Sequence, residues 1–256
     1  MKETHKKTVL ITGAAKRIGK AIALGMAADG WRVVVHYGAS REEAECLVKL
    51  IRGNGGIAFK IHADLSKEEQ VGLLIPSAVK IAGPISCLIN NASLFEEDSA
   101  QTASRKSWDA HMQINLRSPF VLIQALCDQL PEGFEGNVIN IVDQRVQNLT
   151  PHFLSYTVSK AGLWTLTQTL ALSLAPSIRV NAIGPGPVLA NFRQTEEEFI
   201  KQWSSIPLGR SVNPLEIVDA IRFIINAPSM TGQLIVLDGG QHLGYSQAPL
   251  SGGVIE

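Results

Sequence analysis

The segment from Ile141 to Lys160, IVDQRVQNLTPHFLSYTVSK, brings together three groups able to move protons. Tyr156 and Lys160 stand at i and i+4 of a stretch with helical period, which puts an ammonium on the same face as a phenol. That proximity favours phenolate and lowers the tyrosine pKa from ~10 toward the range where general acid–base catalysis works best. Taken alone, a Tyr-x-x-x-Lys pair is also what a solvated helix produces by chance. Asp143, thirteen positions before the tyrosine, adds a carboxyl. Beside a ketone under reduction an ionised carboxylate opposes the negative charge that develops on oxygen. At a ring C=N the nitrogen needs a proton instead. A carboxyl that shares one with Tyr156 can relay it and can hydrogen-bond an amino-bearing ring edge. The plainer reading of Asp143 is a cap in the loop DQRVQNLTP, paired with Arg145.

A second group of residues suits phosphate. VLITGAAKRIGKAIA reads as a strand, a turn carrying Gly13 and Gly19, and a helix that begins near Arg17. A helix N-terminus presents unpaired N–H groups and partial positive charge, and glycine lets the backbone approach a pyrophosphate closely. The end of the second strand, VVVHYGASR, has no carboxylate to meet ribose hydroxyls, while Arg17, Ser40 and Arg41 are donors for a 2′-phosphate, which favours NADP(H). Asp64 in HADLS either caps the next helix or holds an adenine amino group. Asn90, Asn91 and Ser93 in LINNASLFEE stand at a strand end where a nicotinamide ribose fits. Asn115, in the apolar stretch MQINLRSPFVLI, either braces its helix or holds a water, the brace being the reading its surroundings favour.

Positioning these groups requires alternating elements. Strands are expected at TVLIT, RVVVH, IAFKI, SCLIN, NVINI, IRVNAI and QLIVL. Helices are expected at Arg17 to Asp29, Arg41 to Arg52, Lys67 to Ile81, Ser104 to Gln129, Ser155 to Leu174 and Pro214 to Asn226. Nearly continuous apolar strands imply helices on both faces, hence an α/β fold with one doubly wound parallel sheet of seven strands. A single Rossmann-type domain is expected over 1–240, followed by a tail, 241–256, that frays or packs on a neighbouring subunit. Within it IGPGPVLANFRQTEEEFIKQW reads as a substrate lid at about 186–212, with Leu189, Phe192 and Trp203 facing the pocket or anchoring the lid. His152 and Phe153 fall near the same entrance, the histidine as a hydrogen-bonding group rather than an acid catalyst.

Composition narrows the function classes. Hydrophobic residues make up 45% and charged residues 18%, enough for a large core, and 23 basic residues balance 23 acidic ones. With no basic field, small molecules rather than nucleic acid are the expected partners. Cys46, Cys87 and Cys127 form no Cys-x-x-Cys, which suits a reducing compartment and buried packing roles. The apolar run after MKETHKK breaks at Gly13, too short for a secretion signal, and no run approaches the ~20 residues that span a bilayer. The cytoplasm is the expected location. No histidine pair has metal spacing, and no metal is expected.

In order and spacing, TGAAKRIG, NNAS, Asn115, YTVSK, VNAIGPGPV and LDGG make the chain resemble the short-chain dehydrogenase/reductase family over almost its full length. The resemblance implies hydride transfer with a nicotinamide coenzyme, an Asn/Ser/Tyr/Lys catalytic group and a homotetramer. Three positions depart from the usual pattern: Arg17 replaces the middle glycine of the fingerprint, Ser93 the last glycine of Asn-Asn-Ala-Gly, and Asp143 the serine. All three are similar to the pteridine reductase branch, and the acid is shared with the dihydromonapterin reductases. What that likeness implies is a catalytic set of Asp143, Tyr156, Lys160 and Asn115, and a substrate site of Arg17, Ser93, Phe95 (stacked on a pterin), Asp143, Tyr156 and Leu189. It implies NADPH or NADP along Gly13, Arg17, Ile18, Gly19, His36, Tyr37, Ser40, Asp64, Leu65, Asn91, Ala92, Ser93, Tyr156, Lys160, Pro185, Gly186 and Val188. The reaction expected is reduction of a dihydropterin C=N. A carbonyl or 3-oxoacyl reductase with an incidental Asp143, and a coenzyme-binding regulator without turnover, are the alternatives.

Overall fold

A computed structural model describes residues 7–191 and 193–244. Seven strands form one sheet, β1 (Thr8–Ile11), β2 (Arg32–Tyr37), β3 (Ile57–His62), β4 (Cys87–Asn90), β5 (Gly136–Ile141), β6 (Ile178–Pro185) and β7 (Leu234–Leu237), in the order β3-β2-β1-β4-β5-β6-β7. Every neighbouring pair is parallel, Val9 lying opposite both Val33 and Cys87. Parallel strands require crossovers, and the period-2 geometry of each strand divides its apolar residues between two layers. Val9, Ile11, Val33 and Val35 face α1 (Arg17–Ala28), α2 (Arg41–Gly53) and α8 (Pro214–Asn226). Leu10, Val34, Leu88 and Val138 face α3 (Glu68–Ala82), α5 (Ser118–Gln129) and α6 (Leu154–Ser173). Strand order reverses between β1 and β4, so their carboxyl ends open the crevice where ligands bind in such sheets.

The single helix expected over Ser104 to Gln129 is interrupted. It consists of α4 (Arg105–Met112), a π-helical turn (Gln113–Arg117) and α5. Pro119 has no N–H to give the carbonyl of Asn115 and its ring would crowd that carbonyl, so the chain widens: the Ser118 N–H reaches back to the Gln113 carbonyl, and its Oγ donates there too at 2.8 Å. Strand β6 runs two residues beyond the expected IRVNAI, to Pro185. In the segment 186–212 a short helix α7 (Glu196–Ser204) starts from a capping box between Thr195 and Glu198. Phe192 and residues 245–256, most of the expected tail, lie outside the described residues. Cys46 is exposed, against the expected buried role, because it falls on the solvent side of α2; all three cysteines are unpaired. No helix among the described residues is long and apolar enough to cross a membrane.

Candidate active site

The β1–α1 turn is shaped for an anion. Gly13 has φ +60°, and Arg17 holds a left-handed φ of +53° at the position where the family pattern has glycine. A Cβ on Gly19 would sit 2.3 Å from the Gly13 carbonyl oxygen and 2.7 Å from Asn91 Nδ2. Lys16, the residue before helix α1, gives it no side-chain cap and its first turn has no acidic residue, which leaves its N–H groups to a ligand. Neighbouring side chains hold the turn rather than enter it. The Gly13 N–H donates to His36 Nδ1 at 3.1 Å, so Nε2–H donates to the Ala63 carbonyl at 3.0 Å. Burial pushes the His36 pKa down to about 4, which keeps the ring neutral and able to accept. Asn91 Nδ2 donates to the Thr12 and Gly13 carbonyls, while Thr12 Oγ1 accepts the N–H groups of Asn91 and Ala92.

Beyond the turn, the expected coenzyme residues divide. Tyr37 is buried, its ring 5.4 Å from that of His62, and Leu65 packs in the second core layer. Ser40 heads α2 without capping it, and Arg41 lies 3.5 Å from Glu45. Asp64 Oδ1 accepts from the Ser66 N–H and hydroxyl at 3.0 and 2.7 Å, closing a local turn; it does not cap α3, which begins after Lys67 without a side-chain cap. Asn90, expected at the ribose, is 2% exposed and turned into the sheet, where its amide donates to Asn140. Of the other expected site residues, Ala92 packs against the second core layer, while Arg17, Ile18, Asn91, Ser93, Phe95, Asp143, Tyr156, Lys160, Pro185, Gly186, Val188 and Leu189 line one cleft of about 300 Å³.

At the centre of that cleft Tyr156 Oη donates to Asp143 Oδ2 at 2.8 Å. Asp143 Oδ1 accepts the Arg145 N–H at 2.9 Å, with Arg145 Nε 3.9 Å away, so the carboxyl both caps the turn and engages the phenol. Both of its oxygens act as acceptors. Lys160, 2% exposed, donates to the Ile141 carbonyl at 2.8 Å. The expected lowering of the tyrosine pKa does not occur: burial first, then the charge of Asp143 and the hydrogen bond to it, raise it well above the usual phenol value. Lys160 lies 5.8 Å from the Tyr156 ring centre, and burial, opposed by Asp143, lowers its own pKa to about 8.

Asn115, in the π-turn, is fully satisfied. Its Oδ1 accepts from the Leu94 N–H and the Ser93 hydroxyl at 2.8 and 3.2 Å, and its Nδ2 donates to the Leu94 carbonyl and Ser159 Oγ at 2.9 and 3.0 Å. It braces the loop after β4 against α6, the structural role favoured by its surroundings. Phe95, in that loop, stacks on Phe153 at 4.3 Å and 8° and meets Tyr156 edge-on at 4.7 Å. Arg145 lies over both phenylalanine rings.

The loop after β6 is tied down on both sides of the cleft. Arg17 donates to the Leu189 and Ala190 carbonyls, and Arg193 donates to the Phe95 carbonyl and pairs with Glu96. Phe199 and Gln202 of α7 line the cleft, whereas Trp203, half-buried one turn after Phe199, does not; His152 is exposed. Sequence reasoning missed Thr12, Ser159, Gln144 and a buried cluster of Asp98, His111 and Ser155. Gln144, 2% exposed and part of the cleft wall, has a side-chain oxygen without a hydrogen-bond partner. A polar residue inside a run of apolar ones was the available signal for several of these, as it was for Asn115.

Comparison with known proteins agrees with this fold. The family model for short chain dehydrogenase matches residues 7–201. A solved structure of FolM alternative dihydrofolate reductase 1 from Brucella canis, complexed with NADP, superposes with a TM-score of 0.92 at 44% identity, over 96% of this chain and 97% of that one. Among curated proteins, the 3-oxoacyl-(acyl-carrier-protein) reductase FabG of Staphylococcus epidermidis is 31% identical over 93% of this chain and 99% of its own length. Glucose 1-dehydrogenase 2 of Bacillus subtilis is 33% identical over 96% and 98%. With the family match covering most of the sheet, the glycine turn and the Tyr156–Lys160 helix, the chain belongs to the short-chain dehydrogenase family.

Proposed function

We propose that this chain is an NADPH-dependent reductase of a dihydropterin-type C=N bond. The observation that carries the reading is the 2.8 Å hydrogen bond from the Tyr156 phenol to Asp143 inside the cleft, at a position where the family pattern has a neutral serine. The likeness to the Brucella canis protein supports both the coenzyme and the substrate class. Bound at the β1–α1 turn, the coenzyme supplies a hydride. The chain's own residues do the rest. The uncapped α1 terminus and Arg17 bind phosphate, Phe95 stacks on the pterin ring, and Asp143 accepts hydrogen bonds from the ring's amino edge.

The Tyr156 phenol, kept protonated by burial and by Asp143, delivers its proton from Oη to the ring nitrogen as hydride reaches the adjacent carbon. The ring carbon would gain the hydride and the ring nitrogen the Tyr156 proton, which balances reduction of the C=N bond. Lys160, buried beside the tyrosine, offsets the charge left on the phenol–carboxylate pair once that proton has gone. Asn115 keeps Ser93 and the Phe95 loop in place. The segment at about 186–212 acts as a lid, with Arg193 and Arg17 as its ties to the rim. The protein works as a homotetramer in the cytoplasm, where its three unpaired thiols suit reducing conditions.

A second reading, 3-oxoacyl reduction, has the support of the curated relatives. One assay separates the two: NADPH absorbance is followed with dihydrobiopterin, dihydromonapterin, dihydrofolate and a set of 3-oxo thioesters and ketones. Turnover of a dihydropterin with negligible turnover of the carbonyl compounds is expected. The reverse pattern overturns the proposal and selects the oxoacyl reading.

A further inference from the structure

Behind the cleft wall three buried groups that the reduction does not use form one hydrogen-bonded chain: His111 on α4, Ser155 in the first turn of α6, and Asp98 in the loop after β4. Their types are those of a hydrolytic triad, but the direction of donation is reversed. The Glu96 N–H donates to His111 Nε2 at 3.1 Å, which leaves the ring proton on Nδ1. Nδ1–H then donates to Ser155 Oγ, 2.7 Å away, and the serine hydroxyl donates onward to Asp98 Oδ2. Ser155 gives its proton to the carboxylate, is fully buried, and is no nucleophile.

What the chain does is tie two walls of the cleft together. Helix α6 begins after Phe153, which has a left-handed φ of +57° and no side-chain oxygen to cap the helix. Asp98 supplies the missing cap from another segment: Oδ1 accepts the Ser155 N–H at 2.9 Å, and its carbonyl accepts the Leu154 N–H at 3.1 Å. The next residue along α6 is Tyr156. At the other end of the chain His111 grips the amide of Glu96, the residue that follows Phe95. The Phe95 ring and the Tyr156 ring, 4.7 Å apart, are therefore set against each other from behind by a single buried connection.

We propose that His111 and Asp98 are positioning residues: acting through Ser155, they fix the separation between the aromatic wall at Phe95 and the phenol of Tyr156, and so where a bound ring lies relative to its proton donor. The inference rests on Tyr156 acting as the proton donor and is independent of which acceptor is reduced.

Three variants test it, each with three measurements: kcat and KM for dihydrobiopterin, the Kd for NADPH, and hydrogen exchange of peptides covering residues 94–98 and 154–157. His111→Phe breaks both arms; His111→Asn keeps a donor near the place of Nδ1; Ser155→Ala cuts the link without adding volume. For His111→Phe, kcat falls by about 10- to 100-fold, both peptides exchange faster, and the NADPH Kd stays within about twofold. His111→Asn recovers most of kcat but leaves KM raised, because the Glu96 N–H has lost its acceptor. Unchanged exchange of the two peptides in both His111→Phe and Ser155→Ala overturns the inference, as does His111→Asn performing no better than His111→Phe. Should wild type reduce no pterin, the substrate reading fails, and the exchange measurement still decides the positioning role.

Discussion

At the β1–α1 turn the groups turned toward a ligand are backbone N–H groups held by glycine geometry, whereas at the ends of β5 and α6 they are side chains drawn from segments far apart in sequence. The first region tolerates no added atoms, because the chain passes over itself at Gly13, Gly19 and Asn91. The second is specified by charge and hydrogen bonding, with Asp143, Arg145, Tyr156 and Lys160 gathered around one small volume. The difference teaches where this chain keeps what it shares with its family and where it keeps what distinguishes it. A turn that offers its backbone N–H groups suits any member, while, on the proposed reading, one carboxyl at the end of β5 changes the chemistry available to a substrate.

That contrast is broken most severely at Gly19. A single methyl there meets the Gly13 carbonyl oxygen at 2.3 Å, so Gly19→Ala forces the turn open. The expected result is a loss of about 1 to 3 kcal/mol of stability, or more, and of nearly all NADPH affinity, read by denaturant unfolding and fluorescence titration. Wild-type affinity in that variant would show that the turn is not the coenzyme site.

The two regions also titrate in different windows. In the first, His36 has its folded pKa lowered to about 4, so the unfolded chain binds the extra proton between there and the usual value near 6.5. Stability is therefore lost as pH falls through that window, by up to about 3 kcal/mol, and replacing the ring in His36→Gln flattens the loss. In the second, Lys160 has its folded pKa lowered to about 8, and the unfolded lysine keeps its proton until pH ~10.4. Stability relative to Lys160→Met then rises as pH climbs from about 8 to 10.4, again by up to about 3 kcal/mol. Urea unfolding of the coenzyme-free protein across pH 4 to 10 checks both signs.

The smallest effect is expected at the proposed lid after β6. Arg193 bonds the Phe95 carbonyl and pairs with Glu96 at the rim, where an ion pair is worth less than about 1 kcal/mol. Arg193→Gln should leave the melting temperature nearly unchanged and raise KM by roughly a few-fold with kcat little altered. An unchanged KM would separate this arginine from substrate closure.

How much of this was legible in the sequence follows from the range of the interactions. Strands and helices came from local period, and the parallel doubly wound sheet from the βαβ alternation. The π-turn at Gln113–Arg117 did not, since Pro119 in an otherwise helical run reads as easily as a kink or a helix start. In the site, Tyr156 and Lys160 were visible from their spacing, yet the direction of the tyrosine's shift was not. It depends on Asp143, thirteen residues away, and on burial by an aromatic wall from the loop after β4. His36 was expected at the coenzyme; both of its ring nitrogens are taken by the chain, at the Gly13 N–H and the Ala63 carbonyl, a pairing the sequence did not reveal. Asp98, His111 and Ser155 stayed invisible because their partners lie up to 57 positions apart.

The central claim is that the carboxyl at 143 suits a ring C=N and hinders a carbonyl. The most direct measurement is kcat/KM of Asp143→Ser with dihydrobiopterin and with a 3-oxo thioester, at saturating NADPH. The account predicts a loss of about 10²-fold or more on the pterin, a gain on the thioester, and an unchanged NADPH Kd. Pterin turnover equal to wild type in that variant would contradict it.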